Sequence, residues 1–166
     1  MAATLVPDRT QAGNAQLIGP ASLARLVREA AEAGTWADSV EFDASRRWYR
    51  RLELTASYEI WLLSWLPAQH TGFHDHGEAA GAFAVVQGEL RESLAQVGSS
   101  RVCRRIAGQG KVTAFGPRHL HDVGNDTSEL AVSVHAYSPP LTAMRRYEMT
   151  SSGLALVGTE LAEQDW

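Results

Sequence analysis

The chain has 166 residues, of which 45% are hydrophobic and 20% are charged, and its formal net charge at pH 7 is -4. This balance predicts one globular domain with its own core, and it argues against the basic surface of a nucleic-acid-binding protein. No apolar run approaches the roughly 18 residues of a membrane helix, and no signal-peptide pattern is recognised. The single cysteine, Cys103, excludes an internal disulfide. We expect it to be a packed thiol, in a cytoplasmic protein without a membrane partner.

The first predicted element is a helix. We assign residues 1–18 to an N-terminal arm without clear periodicity, and residues 19–166 to a single domain. Gly19-Pro20 favours a helix start, because a proline in the first turn loses no hydrogen bond. Apolar residues then recur at three- and four-residue spacing until Gly34, a residue type that commonly ends a helix. We expect this helix to cover one side of the domain.

Beyond Glu41 the hydrophobic period changes to two, which is typical of β-strands. The run of strands ends at Ser138-Pro139-Pro140, because proline cannot join a central ladder. We expect the tail from Leu141 to pack back on the barrel or over its mouth. Many short strands after one helix predict a sandwich or barrel of the jelly-roll type. The predicted strands are residues 48–54, 58–65, 73–76, 82–87, 89–97, 101–106, 111–115, 121–123 and 130–137.

Two H-x-H pairs occur in this strand-rich region. On a β-strand, side chains two residues apart point to the same face, so His74 and His76 share a face, and His119 and His121 do the same. A single histidine is more often a structural residue than a ligand. Two such pairs in one small β-domain favour a metal site, and imidazole suits iron, zinc, copper and nickel.

Several segments, in their order and spacing, resemble one known family. The chain resembles the cysteine dioxygenase (thiol dioxygenase) family of the cupin superfamily, especially its bacterial members, from about Trp48 to Tyr147. The resemblance implies a mainly β fold, a cupin-type jelly-roll β-barrel with a short N-terminal helical segment. The matching segments are Trp65-Leu66-Pro67, His74-Asp75-His76, Val86-Gln87-Gly88-Glu89-Leu90, His121-Asp122-Val123-Gly124-Asn125 and Ser133-Val134-His135-Ala136-Tyr137-Ser138-Pro139-Pro140.

The resemblance implies one Fe(II) ion per chain, held by His74, His76 and His121. His121 is preferred because it begins the H-x-V-x-N match. His119 is the alternative ligand, but a structural role beside the metal is expected for it. The implied activity is that of a non-haem Fe(II) thiol dioxygenase, which adds both atoms of O2 to the sulfur of a small thiol. L-cysteine, giving cysteine sulfinic acid, is the first candidate substrate. The alternatives are 3-mercaptopropionate, or a metal- or ligand-binding cupin without turnover.

The partners implied are therefore a small thiol and O2, and we expect a monomer or a weak homo-oligomer. Most cupins carry a glutamate ligand three or four residues beyond H-x-H, but this chain has Ala80 and Gly81 there. The expected site thus has three neutral histidines and no carboxylate. Gly81 also matches the cysteine that some members join to a tyrosine, so we expect no such crosslink here.

Ser133, His135 and Tyr137 share one face of the last predicted strand, and a hydrogen-bonded row is expected. In the family, the matching tyrosine lies near the iron, which implies that Tyr137 orients dioxygen or the substrate carboxylate while His135 holds its hydroxyl.

A thiol substrate with a carboxylate requires an arginine, because a guanidinium offers two parallel donors. The candidates are Arg50 and Arg51. If Leu52 and Leu54 mark the inward face, parity selects Arg50. Family members often have a tyrosine two residues before this arginine, and Tyr49 would then select Arg51. Both alternatives stay open.

Overall fold

The computed structural model describes residues 16–161 of the chain. No helix in this part of the chain is long and apolar enough to cross a membrane. The helix α1 (Pro20–Ala33) precedes the strands β1 (Tyr49–Leu54), β2 (Glu59–Trp65), β3 (Phe73–Asp75), β4 (Ala80–Gln87), β5 (Glu89–Leu94), β6 (Cys103–Gly108), β7 (Val112–Phe115), β8 (His121–Gly124), β9 (Ala131–Ser138), β10 (Ala143–Thr150) and β11 (Gly153–Leu161).

The strands form two antiparallel sheets that pack face to face. The five-stranded sheet has the order β1-β2-β9-β4-β7, and the six-stranded sheet has the order β11-β10-β3-β8-β5-β6. Strands close in sequence are thus shared between the two sheets, as a jelly roll requires. The predicted mainly β, cupin-type fold with one N-terminal helix is confirmed.

The helix covers the outer face of the five-stranded sheet. It begins at Pro20 and ends at Gly34, which adopts the left-handed conformation (φ 71°) that glycine tolerates best. Leu23 and Val27 pack against alternate residues of the sheet, such as Val134 on β9. The prediction of a covering helix is confirmed, and alternation along β9 leaves its other face for the space between the sheets.

That inner face holds the main core. Trp65, Phe83 and Tyr137 of the five-stranded sheet pack with Leu90 and Val123 of the six-stranded sheet. The core fills one part of the space between the sheets, and the remaining part, towards β1, β3 and β10, contains the polar groups described below.

Three predictions about the chain need correction. The tail after Leu141 does pack back on the strands, but it does so as the hairpin β10–β11, whose two strands the sequence analysis missed. The strand from Glu89 ends at Leu94 rather than at residue 97. Cys103 was expected to be packed, but it is exposed, because β6 is an edge strand whose first four residues are all exposed.

The predicted arm lies mostly outside the described residues. Of residues 1–18, the structure describes residues 16–18, which have no regular secondary structure. The backbone N–H of Ile18 donates a hydrogen bond of 2.9 Å to Ser138 Oγ at the end of β9. The assignment of residues 19–166 to a single domain stays a prediction.

Candidate metal centre

Three buried histidines meet where β3 pairs with β8. His74 on β3 lies opposite His121 on β8, and His76 follows β3 directly after Asp75. The ring centroids of His74 and His121 are 4.7 Å apart, and those of His76 and His121 are 5.3 Å apart. One nitrogen of each ring lies within 4.8 Å of the others. The three histidines therefore form a possible metal site.

Hydrogen bonds orient two of these rings. His74 Nδ1 lies 2.9 Å from the carbonyl oxygen of Gly72, so Nδ1 carries the proton and Nε2 keeps a lone pair. His121 Nδ1 lies 2.8 Å from a Glu92 carboxylate oxygen, and His121 Nε2 is buried without a hydrogen-bond partner among residues 16–161. His76 Nε2 is 3.2 Å from His74 Nε2, and nitrogens that share a metal ion at about 2.1 Å lie roughly 3.0–3.4 Å apart. The donor set fits a cation.

All three rings are neutral at physiological pH. Burial lowers the pKa of His74 and His76 well below the ordinary value, and the neighbouring histidines add to this effect. Burial also lowers the pKa of His121, although the hydrogen bond to Glu92 opposes the shift. Neutral imidazoles are the form that binds metals, so a metal ion would not have to displace protons here.

The partner of His121 belongs to a buried carboxylate cluster. Glu92 on β5 is fully buried, and it accepts hydrogen bonds from His121 Nδ1 at 2.8 Å, His119 Nε2 at 2.9 Å and Arg105 Nε at 2.5 Å. Burial alone would raise the pKa of Glu92, but these three donors outweigh it and hold the pKa well below its usual range. Glu92 is therefore ionised and keeps the His121 ring in one orientation.

His119 lies in this cluster and outside the set of three histidines. Its Nε2 is committed to Glu92, and its ring stacks on Phe115 with a centroid distance of 4.4 Å. Glu92, His119 and His121 also bring ligand atoms within metal-binding distance of one another. Hydrogen bonds among these three residues and from Arg105 already satisfy their ligand atoms. The set His74, His76 and His121 is therefore the better metal site.

The row of hydrogen bonds predicted on β9 is present, and it begins at Trp65 on the neighbouring strand β2. Trp65 Nε1 donates to Ser133 Oγ at 2.9 Å, Ser133 Oγ lies 2.8 Å from His135 Nε2, and His135 Nδ1 lies 3.2 Å from the Tyr137 hydroxyl. The Tyr137 ring centroid is 4.7 Å from that of His76. Burial lowers the pKa of His135 to about 3 and raises the pKa of Tyr137, so both are neutral.

A small cavity that opens to solvent adjoins the histidines. His74, His121, His135 and Tyr137 line its polar side. Apolar side chains from both sheets and the tail complete the wall, and no carboxylate of the described residues lines it. The apolar part of the wall includes Leu63, Val123, Leu141 and Met144.

Two arginines also line the cavity. Arg146 on β10 donates to Glu160 at 2.7 Å, so its charge is paired. Arg47 lies over the Trp65 ring at 5.2 Å, and its Nη1 donates to the carbonyl oxygen of His70 at 3.3 Å. It has no carboxylate partner among residues 16–161, and its Nε is buried without a hydrogen bond. Burial, and next the charge of Arg146, lower the pKa of Arg47 to about 10, so it remains a cation at neutral pH.

A family model described as cysteine dioxygenase type I matches residues 14–150. The chain belongs to this family. It is a family of the cupin superfamily, which agrees with the two-sheet fold and with the resemblance found in the sequence. The family indicates an oxidoreductase of the cysteine dioxygenase type with a bound metal, and His74, His76 and His121 form a possible site for that metal.

Solved structures with the same fold share little sequence. The protein TT1209 from Thermus thermophilus has a TM-score of 0.56 and 13% identity, and the match covers 63% of this chain and 94% of that one. A conserved protein with a double-stranded β-helix domain from Klebsiella pneumoniae has a TM-score of 0.54 and 17% identity, over 74% and 93%. An RmlC-like cupin from Desulfovibrio desulfuricans has a TM-score of 0.53 and 19% identity, over 61% and 91%. The likeness extends to the fold alone.

The family's carboxylate-binding arginine was predicted at Arg50 or Arg51, and the cavity lining includes neither. Arg50 is exposed, and Arg51 pairs with Glu59 at 3.6 Å. The premise that Leu52 and Leu54 face inward was wrong, because these side chains are 40% and 54% exposed. A β-bulge between Arg51 and Glu53 interrupts the alternation on which that premise depended.

Gly81 lies directly opposite Tyr137 on the neighbouring strand. A Cβ atom there would collide with the Phe115 ring and approach the Tyr137 ring to 3.1 Å. The family's cysteine and the cupin glutamate therefore have no room at this position unless Phe115 moves. The only cysteine, Cys103, is on the surface.

Asp75, between the two histidines, forms its hydrogen bonds on the side of β3 away from the metal site. Its carboxylate accepts hydrogen bonds from Tyr147 at 2.6 Å, from Arg145 at 2.9 Å and from the backbone of Gly77 at 2.8 Å. These bonds tie β3 to β10 and keep the short His74-bearing strand in place.

Proposed function

We propose that this chain is a non-haem Fe(II) thiol dioxygenase whose substrate is a small thiol with a carboxylate. L-cysteine is the first candidate and 3-mercaptopropionate the second. One observation carries the proposal: the site of three neutral, buried histidines adjoins a cavity that is also lined by an arginine without a carboxylate partner, Arg47. The reaction joins one thiol and one O2 to give a sulfinic acid, with both oxygen atoms on sulfur and no external reductant.

One Fe(II) ion per chain, held by His74, His76 and His121, would supply the redox chemistry that joins dioxygen to a thiolate. Three neutral ligands leave the ion its full charge and leave coordination positions open, which favours an anionic sulfur ligand. Membership of the family and the missing cupin glutamate at Ala80 and Gly81 support this ligand set.

Arg47 would bind the carboxylate of the substrate. A guanidinium can donate two parallel hydrogen bonds to a carboxylate, and such charge-assisted pairs are stronger than neutral ones. Arg146 adds positive potential, although Glu160 offsets much of it. The wall has no carboxylate among the described residues, so it offers no ion-pair partner for an ammonium group.

Tyr137 would orient the reacting groups, because it lines the cavity and its ring centroid lies 4.7 Å from that of His76. The raised pKa keeps Tyr137 protonated at neutral pH, so it can act as a hydrogen-bond donor. Leu63, Val123 and Met144 cover apolar parts of the wall and limit the access of water. A cytoplasmic location and a monomeric or weakly oligomeric state stay predictions.

The test is turnover by protein reconstituted anaerobically with Fe(II). L-cysteine, 3-mercaptopropionate, cysteamine and L-cysteine methyl ester are each added with O2, and oxygen uptake and sulfinate are measured together. We expect one sulfinate per O2 with a carboxylate thiol. The methyl ester and cysteamine should have a kcat/KM at least about tenfold lower, because they lose a charge-assisted hydrogen bond of about 1.5 kcal/mol.

Two outcomes would contradict the proposal. Protein that retains bound iron but consumes no oxygen with any of the thiols would be a metal-binding cupin without this activity. Equal turnover of cysteine and its methyl ester would remove the carboxylate from the recognised features and leave Arg47 without the proposed role.

A further inference from the structure

The buried row of hydrogen bonds contains one residue that can only donate. Trp65, Ser133 and His135 are each at most 3% exposed, so water does not supply alternative partners. Serine, histidine and tyrosine can each donate or accept, but an indole N–H has no acceptor atom. The 2.9 Å contact between Trp65 Nε1 and Ser133 Oγ therefore has a known direction.

The direction of the Trp65–Ser133 hydrogen bond determines the direction of the next two hydrogen bonds in the row. Ser133 Oγ accepts from Trp65, and its own hydrogen can then be donated to His135 Nε2, 2.8 Å away. A His135 ring that accepts at Nε2 and is neutral carries its proton at Nδ1. Nδ1–H then donates to the Tyr137 oxygen at 3.2 Å, and the Tyr137 hydrogen is left to point elsewhere.

The opposite direction leaves a buried donor unsatisfied. In that arrangement Tyr137 donates to His135 Nδ1, and His135 Nε2–H donates to Ser133, which then accepts two bonds. The Ser133 hydrogen would need another acceptor, and among residues 16–161 Ser133 Oγ has hydrogen bonds only with Trp65 and His135. A buried hydroxyl without an acceptor is costly, so the first arrangement is favoured.

We propose that the indole N–H of Trp65 sets the direction of the row Trp65–Ser133–His135–Tyr137, so that Tyr137 presents its hydroxyl hydrogen to the cavity. Trp65 is thus a positioning residue on β2 that acts through β9 without touching the cavity contents. Its ring face also lies against Arg47, the arginine without a carboxylate partner. Trp65 thereby supports both Tyr137 and Arg47, the two polar groups that a bound anion would contact.

The test reads the tautomer of His135 directly in metal-free protein. Histidine is labelled with 15N, and two-bond nitrogen–proton correlation spectra at neutral pH distinguish the Nδ1–H form from the Nε2–H form. We expect wild-type His135 to be Nδ1–H. Trp65→Phe keeps an aromatic ring under Arg47, deletes the N–H and leaves space beside Ser133 Oγ for a water molecule. Such a water can accept the Ser133 hydrogen, so we expect the Nε2–H form of His135 to become populated.

His74 is an internal control for folding, because its Nδ1–H bond to Gly72 does not involve Trp65 and should persist in every variant. Trp61→Phe is the matched control on the same strand and should leave the His135 tautomer unchanged. The proposal is overturned if wild-type His135 is Nε2–H. It is also overturned if folded Trp65→Phe retains a pure Nδ1–H form. Neither result depends on iron or on a thiol, so the proposed function is tested separately.

Discussion

The two sides of the cavity differ in charge and in how their groups are held. The histidine side, His74, His76 and His121, presents neutral lone pairs in buried surroundings. The arginine side, Arg47 and Arg146, presents cations. Ring nitrogens that converge in a buried site favour a cation, and a buried cation without a carboxylate partner favours an anion. The comparison indicates that the cavity complements a metal ion on one side and an anionic group on the other.

The two sides also differ in their support from the rest of the chain. On the histidine side, Gly72 and Glu92 accept from the rings of His74 and His121. On the arginine side, Glu160 neutralises Arg146, but the charge of Arg47 has no carboxylate among the described residues. Substitutions on each side should therefore affect different quantities, metal affinity on one and recognition of the anion on the other.

The largest expected effect is on metal affinity, and it distinguishes His121 from His119. His121→Ala should weaken the binding of Fe(II), or of Co(II) as a probe, by more than about 100-fold, because loss of a ligand exceeds the 10- to 100-fold typical of an outer partner. His119→Ala should weaken it by less than about tenfold. Anaerobic titration against a competing chelator measures both constants. A greater loss in His119→Ala would assign the metal to the donor set around Glu92.

A smaller effect on the same side is expected from Glu92→Gln. The amide has no charge and cannot accept from His119, His121 and Arg105 together, so the His121 ring is less firmly oriented. We expect metal affinity to fall by about 10- to 100-fold. Glu89→Gln, at an exposed position of the same strand, is the matched control. If Glu92→Gln melts at a lower temperature but binds metal as wild type does, Glu92 supports only the fold.

The histidine side was largely predictable from the sequence, because its ligands sit in or beside regular strands and match a family motif. The prediction that His119 and His121 share one face of a strand failed, because β8 begins at His121 and leaves His119 outside the strand. The motif, not the alternation, selected His121. Glu92 was missed, although its spacing from Leu90 and Leu94 places it on the same face of β5 as these two apolar residues.

The arginine side was not predictable in the same way. Arg47 precedes β1, so no strand pattern assigns its direction, and the bulge after Arg51 disrupts the alternation that was applied to its neighbours. Arg146 lies on β10, a strand that the sequence analysis did not assign, although Met144 and Arg146 alternate with residues of the opposite face. Groups that come from irregular segments and unassigned strands require the three-dimensional structure.

The smallest of these effects tests the arginine side and rests on the proposed function. Arg47→Gln should raise the KM for L-cysteine about tenfold, the loss of roughly 1.5 kcal/mol from one charge-assisted pair, and should leave the KM for L-cysteine methyl ester nearly unchanged. Arg146→Gln should change the KM for cysteine less than about threefold, because Glu160 already pairs with Arg146. Arg51→Gln is the remaining comparison. A tenfold rise in KM there, with none in Arg47→Gln, would restore Arg51 as the carboxylate-binding residue and would require its side chain to leave Glu59 for the cavity when substrate binds.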